Sequence, residues 1–496
     1  MPFPPSHRGR VAAVLAAVAL LPGCTGEPSR PASGDPGGTS LILGTTTEPA
    51  TLDPRQGYAP HGAALVYDGL VEHQPDGGLK PTLAAAAPVP AADGRSWTVA
   101  LRNDVSFTDG SGFDSTAVVA TYRSVLEQTS PLRAEYEVLA GVQAVDKTTV
   151  RFDLVRPDPD FPDLLTLGVV ATDAQGQLVG TGPYKVASWV RQDRLELVAN
   201  QAYFAGPPAI TKVTIRFLPD DDTRAEAMRA GELDGTVLPP ALAEGFETAD
   251  GLAVVEHGST DLRAVALTGS PVAADPAVRK ALNLAVDREA LVRDALRGKG
   301  EVASLPVPPQ VAELVEPTAA LTRDVAAANQ LLDAAGWVVG ADGTRARAGQ
   351  RLAFPVSYDQ RDQVDRDLVT AFAKQVGAIG VEVTPTPAAA QAAQTPSVTS
   401  FGDPFRTVGD LRPRFTGAVA QALASADAAT DPAQRAVEAR AAQRAYAVDP
   451  TLVVLAQVDH TYVLRQNWTG YRPVVDATGT DQTWGPWWNL ATWTPR

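Results

Sequence analysis

Asp93-Gly94-Arg95-Ser96-Trp97-Thr98-Val99-Ala100-Leu101-Arg102-Asn103-Asp104-Val105-Ser106-Phe107-Thr108-Asp109-Gly110 holds two signals in one run. From Trp97 to Arg102 apolar and polar residues alternate with a period of two, the pattern of a half-buried strand. The closing Asp109-Gly110 suits a tight turn, where aspartate bonds its own backbone and glycine tolerates left-handed geometry. The same alternation recurs at Val150-Arg151-Phe152-Asp153-Leu154 and at Val213-Thr214-Ile215-Arg216-Phe217.

Helical signals lie between and beyond these strands. Thr223-Arg224-Ala225-Glu226 has capping-box spacing, and Gly231 stands where a helix wants a left-handed residue at its end. Asp275-Pro276 offers a side-chain acceptor followed by a proline fit for a first turn. The helix it starts carries Val278, Ala281, Leu282, Ala285 and Val286 on one face and is expected to end by Gly298. Further helices are expected at Asp114 to Glu127, Arg323 to Ala335 and Asp431 to Ala447, while Ala388 to Ser400 lacks periodicity and reads as loop or weak helix. Strands and helices that alternate in this way specify an α/β fold and set aside the all-α and all-β classes.

At the N-terminus His7, Arg8 and Arg10 precede the apolar run Val11 to Leu21, the outline of a signal peptide over residues 1–23. The run is too short for a bilayer that needs roughly 20 apolar residues, so it exports the chain and does not anchor it. Cys24 is the only cysteine among 496 residues, which excludes an internal disulfide. Leu21-Pro22-Gly23-Cys24 resembles the lipobox of bacterial lipoproteins, which implies a lipid on Cys24 and a place on the extracytoplasmic face of the membrane. Residues 24–40, rich in Gly, Ser, Pro and Thr, read as a flexible tether. The body beyond has the length for two or three domains.

Composition narrows the function. The net charge is −15 and the basic residues are scattered, so nucleic acid is not an expected partner. His7, His61, His73, His257 and His460 form no metal spacing, and no nucleophile elbow, phosphate loop or dinucleotide fingerprint stands out. Neither an enzyme nor a cofactor is expected.

A series of short motifs follows in order along the body: Glu48-Pro49-Ala50-Thr51-Leu52-Asp53-Pro54, Tyr67-Asp68-Gly69-Leu70-Val71, Leu79-Lys80-Pro81-Thr82-Leu83-Ala84 and the Trp97 to Gly110 block. After them come Gly180-Thr181-Gly182-Pro183-Tyr184, Val278 to Arg288, Leu331-Leu332-Asp333-Ala334-Ala335-Gly336-Trp337 and Ile379-Gly380-Val381-Glu382-Val383. This order and spacing resemble the extracytoplasmic solute-binding proteins of the peptide, opine and nickel class, which serve ABC importers. Most of the motifs have structural readings as turns, rigid loops and a core helix face.

The resemblance implies a two-lobed periplasmic-binding-protein-like fold of type II with an extra domain and a ligand cleft between the lobes. Residues 41–60, 180–270 and 461–496 would form lobe I, 61–179 the extra domain and 271–460 lobe II. The implied partners are a short peptide or similar small solute and the permease subunits of an ABC transporter, with the chain a monomer. The rival reading is a lipoprotein of the same fold that binds an envelope glycolipid or a protein in a regulatory role.

Peptide binders of the family place an acidic residue before the Leu-Asp-Pro element, which implies Glu48; Thr47 is a cleft candidate by its position near an expected lobe crossing. They also carry an aromatic residue and an aspartate after the Ile-Gly-Val strand, which implies Phe401 and Asp403, the aspartate pairing with a ligand ammonium. His61, Arg133, Tyr136 and Tyr358 are further cleft candidates, by position and by capacity for stacking or bidentate contact. Trp484, Trp487, Trp488 and Trp493 are expected to seal the core.

Overall fold

The computed structural model describes residues 39–60, 62, 65–388, 396–402, 412, 415–429, 431–476 and 485–496. Cys24, His61, Asp403 and Trp484 lie outside the described residues. Two large sheets organise the chain. The first has seven strands in the spatial order 184–190, 194–199, 212–217, 40–45, 235–238, 460–465 and 252–257. The second has six, in the order 300–301, 452–458, 262–266, 397–401, 353–359 and 382–388. Ser40–Thr45 runs parallel to Lys212–Phe217, and Ala353–Asp359 runs parallel to Glu382–Ala388, as expected where helices cover the sheet faces.

The expected strands form at Ser96–Ala100, Thr149–Leu154 and Lys212–Phe217. Leu452–Val458 is buried at every position, so this strand, apolar except for Gln457, sits inside the second sheet with both faces covered. The helices expected near residues 114, 323 and 431 form at Ser115–Val125, Val325–Ala334 and Pro432–Val448, each capped by the aspartate before it.

Two local expectations are corrected and one helix end is met early. The cap of helix Asp221–Arg229 is Asp220, whose carboxylate takes the Thr223 N–H at 2.8 Å, so Thr223 is the capped residue and not the cap. The helix from Pro276 ends by Gly298 as expected, stopping at Ala285, and Asp287 caps a new turn over Arg288–Ala290. The break is fixed by Arg288, which is buried and donates to Val454 O at 2.8 Å and Leu321 O at 2.9 Å. Within Ala388 to Ser400, Ser397–Phe401 is a strand of the second sheet, laddered to Leu262–Ala266; hydroxyl residues hid its period while tertiary pairing supplied the partners.

Residues 70–179 build a core of their own under a four-stranded sheet, with Tyr122, Phe152 and Phe161 at its centre. They fasten to the first sheet where the chain leaves and returns. Gly182 N donates to Val66 O at 3.0 Å, and a Cβ on Gly180 would lie 2.1 Å from that same oxygen, so only glycine permits the approach. At this seam the buried Asp68 accepts from Thr181 Oγ1 at 2.8 Å and Tyr203 Oη at 3.1 Å. The tryptophans Trp487 and Trp493 are buried in the core of the first sheet, 6.1 Å apart between ring centres.

Burial pushes the Asp68 carboxyl up to about 7, against the pull of its two hydroxyl partners. Between the ordinary carboxylate value and that value, the folded chain holds a proton that the unfolded chain has released. Stability therefore falls as pH rises through this window. Asp68→Asn should flatten that fall: melting midpoints at pH 5 and pH 8 should differ less in the variant than in the parent, with scanning calorimetry as the check.

Candidate ligand-binding cleft

The chain passes from the first sheet to the second between His257 and Leu262, and back between Val458 and His460. The outward passage falls ahead of residue 270, since Leu262–Ala266 already pairs inside the second sheet. A third segment joins the two passages: Ser259 bridges Asp476, with Thr260 N on Asp476 O at 3.0 Å and Asp476 N on Gly258 O at 2.9 Å.

Each of the three segments contributes an ionisable group, Asp261 and Asp476 buried and His460 half-buried, and the groups link in one chain. His460 lies between Asp476, 3.1 Å from its Nδ1, and Asp261, 3.3 Å from its Nε2. Burial opposes charge on the imidazole, but the two carboxylates push its pKa up to about 10. As an imidazolium it donates from both nitrogens. Asp476 also accepts from His257 Nδ1 at 2.8 Å and from the Tyr462 hydroxyl.

Asp261 continues the chain to Arg263. Arg263 Nε contacts both Asp261 oxygens at 3.0 Å, and Nη2 contacts one of them at 2.8 Å. Its Nη1 reaches Asp362 at 2.8 Å and Asp365 at 2.6 Å. Burial works against ionising Asp261, yet Arg263 and His460 outweigh it and hold its carboxyl well below the usual range. Asp365 goes the other way: burial, reinforced by neighbouring carboxylates, raises it despite Arg263. Asp362 caps helix Gln363–Gly377 and Asp365 sits in its first turn, where the helix dipole favours negative charge.

Above this chain opens a cleft of about 480 Å³. Thr46, Thr47, Asp221, Arg224 and Pro239 line the wall on the first sheet's side. Asp359, Arg361, Asp362 and Ser400 line the opposite wall, with His460 and Asp476 at the junction. The walls come near each other here, because the Asp221 carboxyl lies within the electrostatic reach of Asp362 and of the Gln363 backbone. Arg224 is fixed behind Asp221 by Leu218 O at 2.6 Å and Val237 O at 3.1 Å. Among the described residues the lining carries seven carboxylates (Asp221, Asp261, Asp359, Asp362, Asp365, Asp459, Asp476) against Arg224, Arg263, Arg361 and His460.

Of the residues expected in the cleft, Thr47 lines it. Glu48 turns away, its carboxylate on Arg191 at 3.0 Å and on Gln192 N at 3.0 Å. Phe401 is buried in a core of the second sheet's side, and Tyr358 packs on another, next to the cleft residue Asp359. Tyr136 lies in the core of residues 70–179, with its hydroxyl on Leu164 O at 3.0 Å. Arg133 belongs to the same region and does not line the cleft.

Sequence reasoning missed Asp261, Arg263, Asp362, Asp365, His460 as a cleft residue, and Asp476. One signal was present: Arg263 is a lone charge within the apolar strand Leu262-Arg263-Ala264-Val265-Ala266, which demands buried partners. Among the described residues no group of three or more His, Cys, Asp or Glu is placed to hold a metal ion.

Residues 78–406 match the family described as bacterial extracellular solute-binding proteins, family 5 Middle. Protein XP55 of Streptomyces lividans is 35% identical over 96% of this chain and 95% of its own length. NikZ of Campylobacter jejuni, solved in complex with Ni(L-His), superposes with a TM-score of 0.83 at 23% identity, covering 92% of this chain and 99% of that one. AppA of Bacillus subtilis, solved with a nonapeptide, superposes with a TM-score of 0.78 at 21% identity, covering 93% and 99%.

The charge chain predicts a sharp cost for removing its centre. Arg263→Met takes the guanidinium from the buried Asp261 and Asp365, leaving Asp261 with His460 alone, and should lower the unfolding free energy by about 3 to 5 kcal/mol. Arg263→Lys should recover only part of that, since a single ammonium cannot fork to three carboxylates; urea unfolding of both variants is the measurement.

Proposed function

This chain belongs to the bacterial extracellular solute-binding proteins of family 5, a two-lobed fold that serves ABC importers, and from that premise we propose that it captures a short peptide or similarly sized solute through a positively charged end. The observation behind this reading is the excess of carboxylates over cations around the cleft. Arg263 is shared among Asp261, Asp362 and Asp365, His460 lies between Asp261 and Asp476, Arg224 pairs with Asp221 and Arg361 with Asp359, so four cations serve seven acidic side chains and the excess belongs to the lining as a whole. An ammonium that enters meets charge-assisted acceptors in a space from which closure expels water. The cleft volume lies in the range usual for small-molecule sites.

In this reading the two sheets and their helices are the two lobes, the segments 258–261 and 458–460 with Asp476 are the hinge, and residues 70–179 are the extra domain. The closed form is the one presented to the permease. Cys24 carries the lipid that holds the protein at the outer face of the membrane. Neither a cofactor nor a catalytic step enters.

Tri-lysine and tri-alanine with free N-termini, at about 100 times their dissociation constants, should add roughly 2.7 kcal/mol and raise the melting midpoint by several degrees. N-acetylation of tri-alanine and the Asp362→Asn substitution should each reduce that shift. If neither peptide shifts the midpoint while an envelope glycolipid headgroup does, the regulatory reading replaces this one. For the anchor, Cys24→Ser should move the protein from the membrane pellet to the culture medium on fractionation and immunoblotting.

A further inference from the structure

Residues 70–179 meet the far lobe as well as the near one, and the two contacts are of opposite kinds. Toward the first sheet the seam is tight and buried: Gly180 and Gly182 pack against the Val66 backbone, Tyr184 N donates to Leu65 O at 2.9 Å, and Asp68 bonds Thr181. Such a seam moves as one body with that sheet. Toward helices Gly417–Ala428 and Pro432–Val448 of the second lobe the contacts are charged and half-exposed. Arg435 pairs with Asp160, Arg412 with Glu137 at 3.4 Å, and Arg156 reaches Asp427 O at 3.5 Å. The side chains of Arg412 and Glu137 are 41% and 59% exposed, so water reaches both.

No apolar core spans this second contact among the described residues. The core of residues 70–179 and the core beneath helices 417–428 and 432–448 are separate clusters. An interface sealed by apolar packing is permanent, whereas one made of solvated charges forms and breaks at little cost. The hinge segments lie elsewhere, at 258–261 and 458–460, so swinging the second lobe away from the first draws Arg435 off Asp160.

We propose that the extra domain is an electrostatic clasp, which docks on the second lobe when the cleft closes and sets the balance between open and closed forms. The clasp lies outside the cleft lining and works whatever solute fills the cavity, so its failure would leave the peptide reading standing. Its strength depends on ionic strength, because the screening length falls from about 10 Å at 0.1 M salt to 3 Å at 1 M.

The test uses the full chain with Cys24→Ser and spin labels at the exposed positions Val145 and Val448, with no solute added. Pulsed electron-electron resonance should give one dominant distance at 50 mM NaCl and a second, longer population at 1 M. Arg435→Glu should produce the longer population at low salt, and the swap Asp160→Arg with Arg435→Glu should remove it again. A distribution that ignores both salt and Arg435→Glu would overturn the proposal. So would a longer population in Arg435→Glu that the swap fails to reverse, since the charge pair would then not be its cause.

Discussion

Arg263 is the group on which the arrangement between the sheets depends. It stands one residue beyond the passage from first sheet to second, and it holds Asp261 of that passage together with Asp362 and Asp365 at the start of the helix lining the cleft. Through Asp261 it reaches His460 on the return passage, and through His460 it reaches Asp476 on the third segment. Two backbone crossings and the segment that joins them, which share few ladder hydrogen bonds, are thus tied by alternating charge. Remove the arginine, and carboxylates of like sign are left facing one another in a dry setting.

A buried charge chain is a weak way to gain stability, since desolvation offsets much of the Coulomb attraction and apolar packing of equal volume often does as well. What charge offers at this location is direction. Apolar side chains pack in many relative orientations, but a guanidinium that must satisfy carboxylates on two elements accepts few. A hinge has to bend without losing register, and fixed hydrogen-bond geometry at its pivot meets that need. The same groups sit at the floor of the cleft, so the pivot and the binding surface are one set of residues.

The fold was legible because its signals are local. The alternation from Trp97 to Arg102, the aspartates before residues 115, 276, 325 and 432, and the closely approached glycines at 180 and 182 each follow from a run of a few residues. The strand Ser397–Phe401 was not legible, because its alternation is between hydroxyl and apolar residues and its identity comes from strands far away in sequence. The cleft was less legible still. Asp261, His460 and Asp476 are separated by up to about two hundred residues and meet only through topology. Thr47, a candidate by its position near a lobe crossing, lines the cavity, while Glu48, one residue on, turns to Arg191 and leaves it.

The division of labour among cores explains how a chain of this size moves without coming apart. Each sheet buries an apolar core of its own, and residues 70–179 bury another. Closely packed interiors resist deformation, so these bodies behave as rigid units. Polar and charged contacts at the seams, His460 with Asp261 and Asp476 at the pivot and Arg435 with Asp160 between residues 70–179 and the second lobe, can exchange partners with water or with a solute at far lower cost than apolar packing can be reopened. Placing charge at the seams and hydrocarbon inside the bodies therefore confines motion to the seams, and the cleft, being a seam, is where a charged solute can shift the balance.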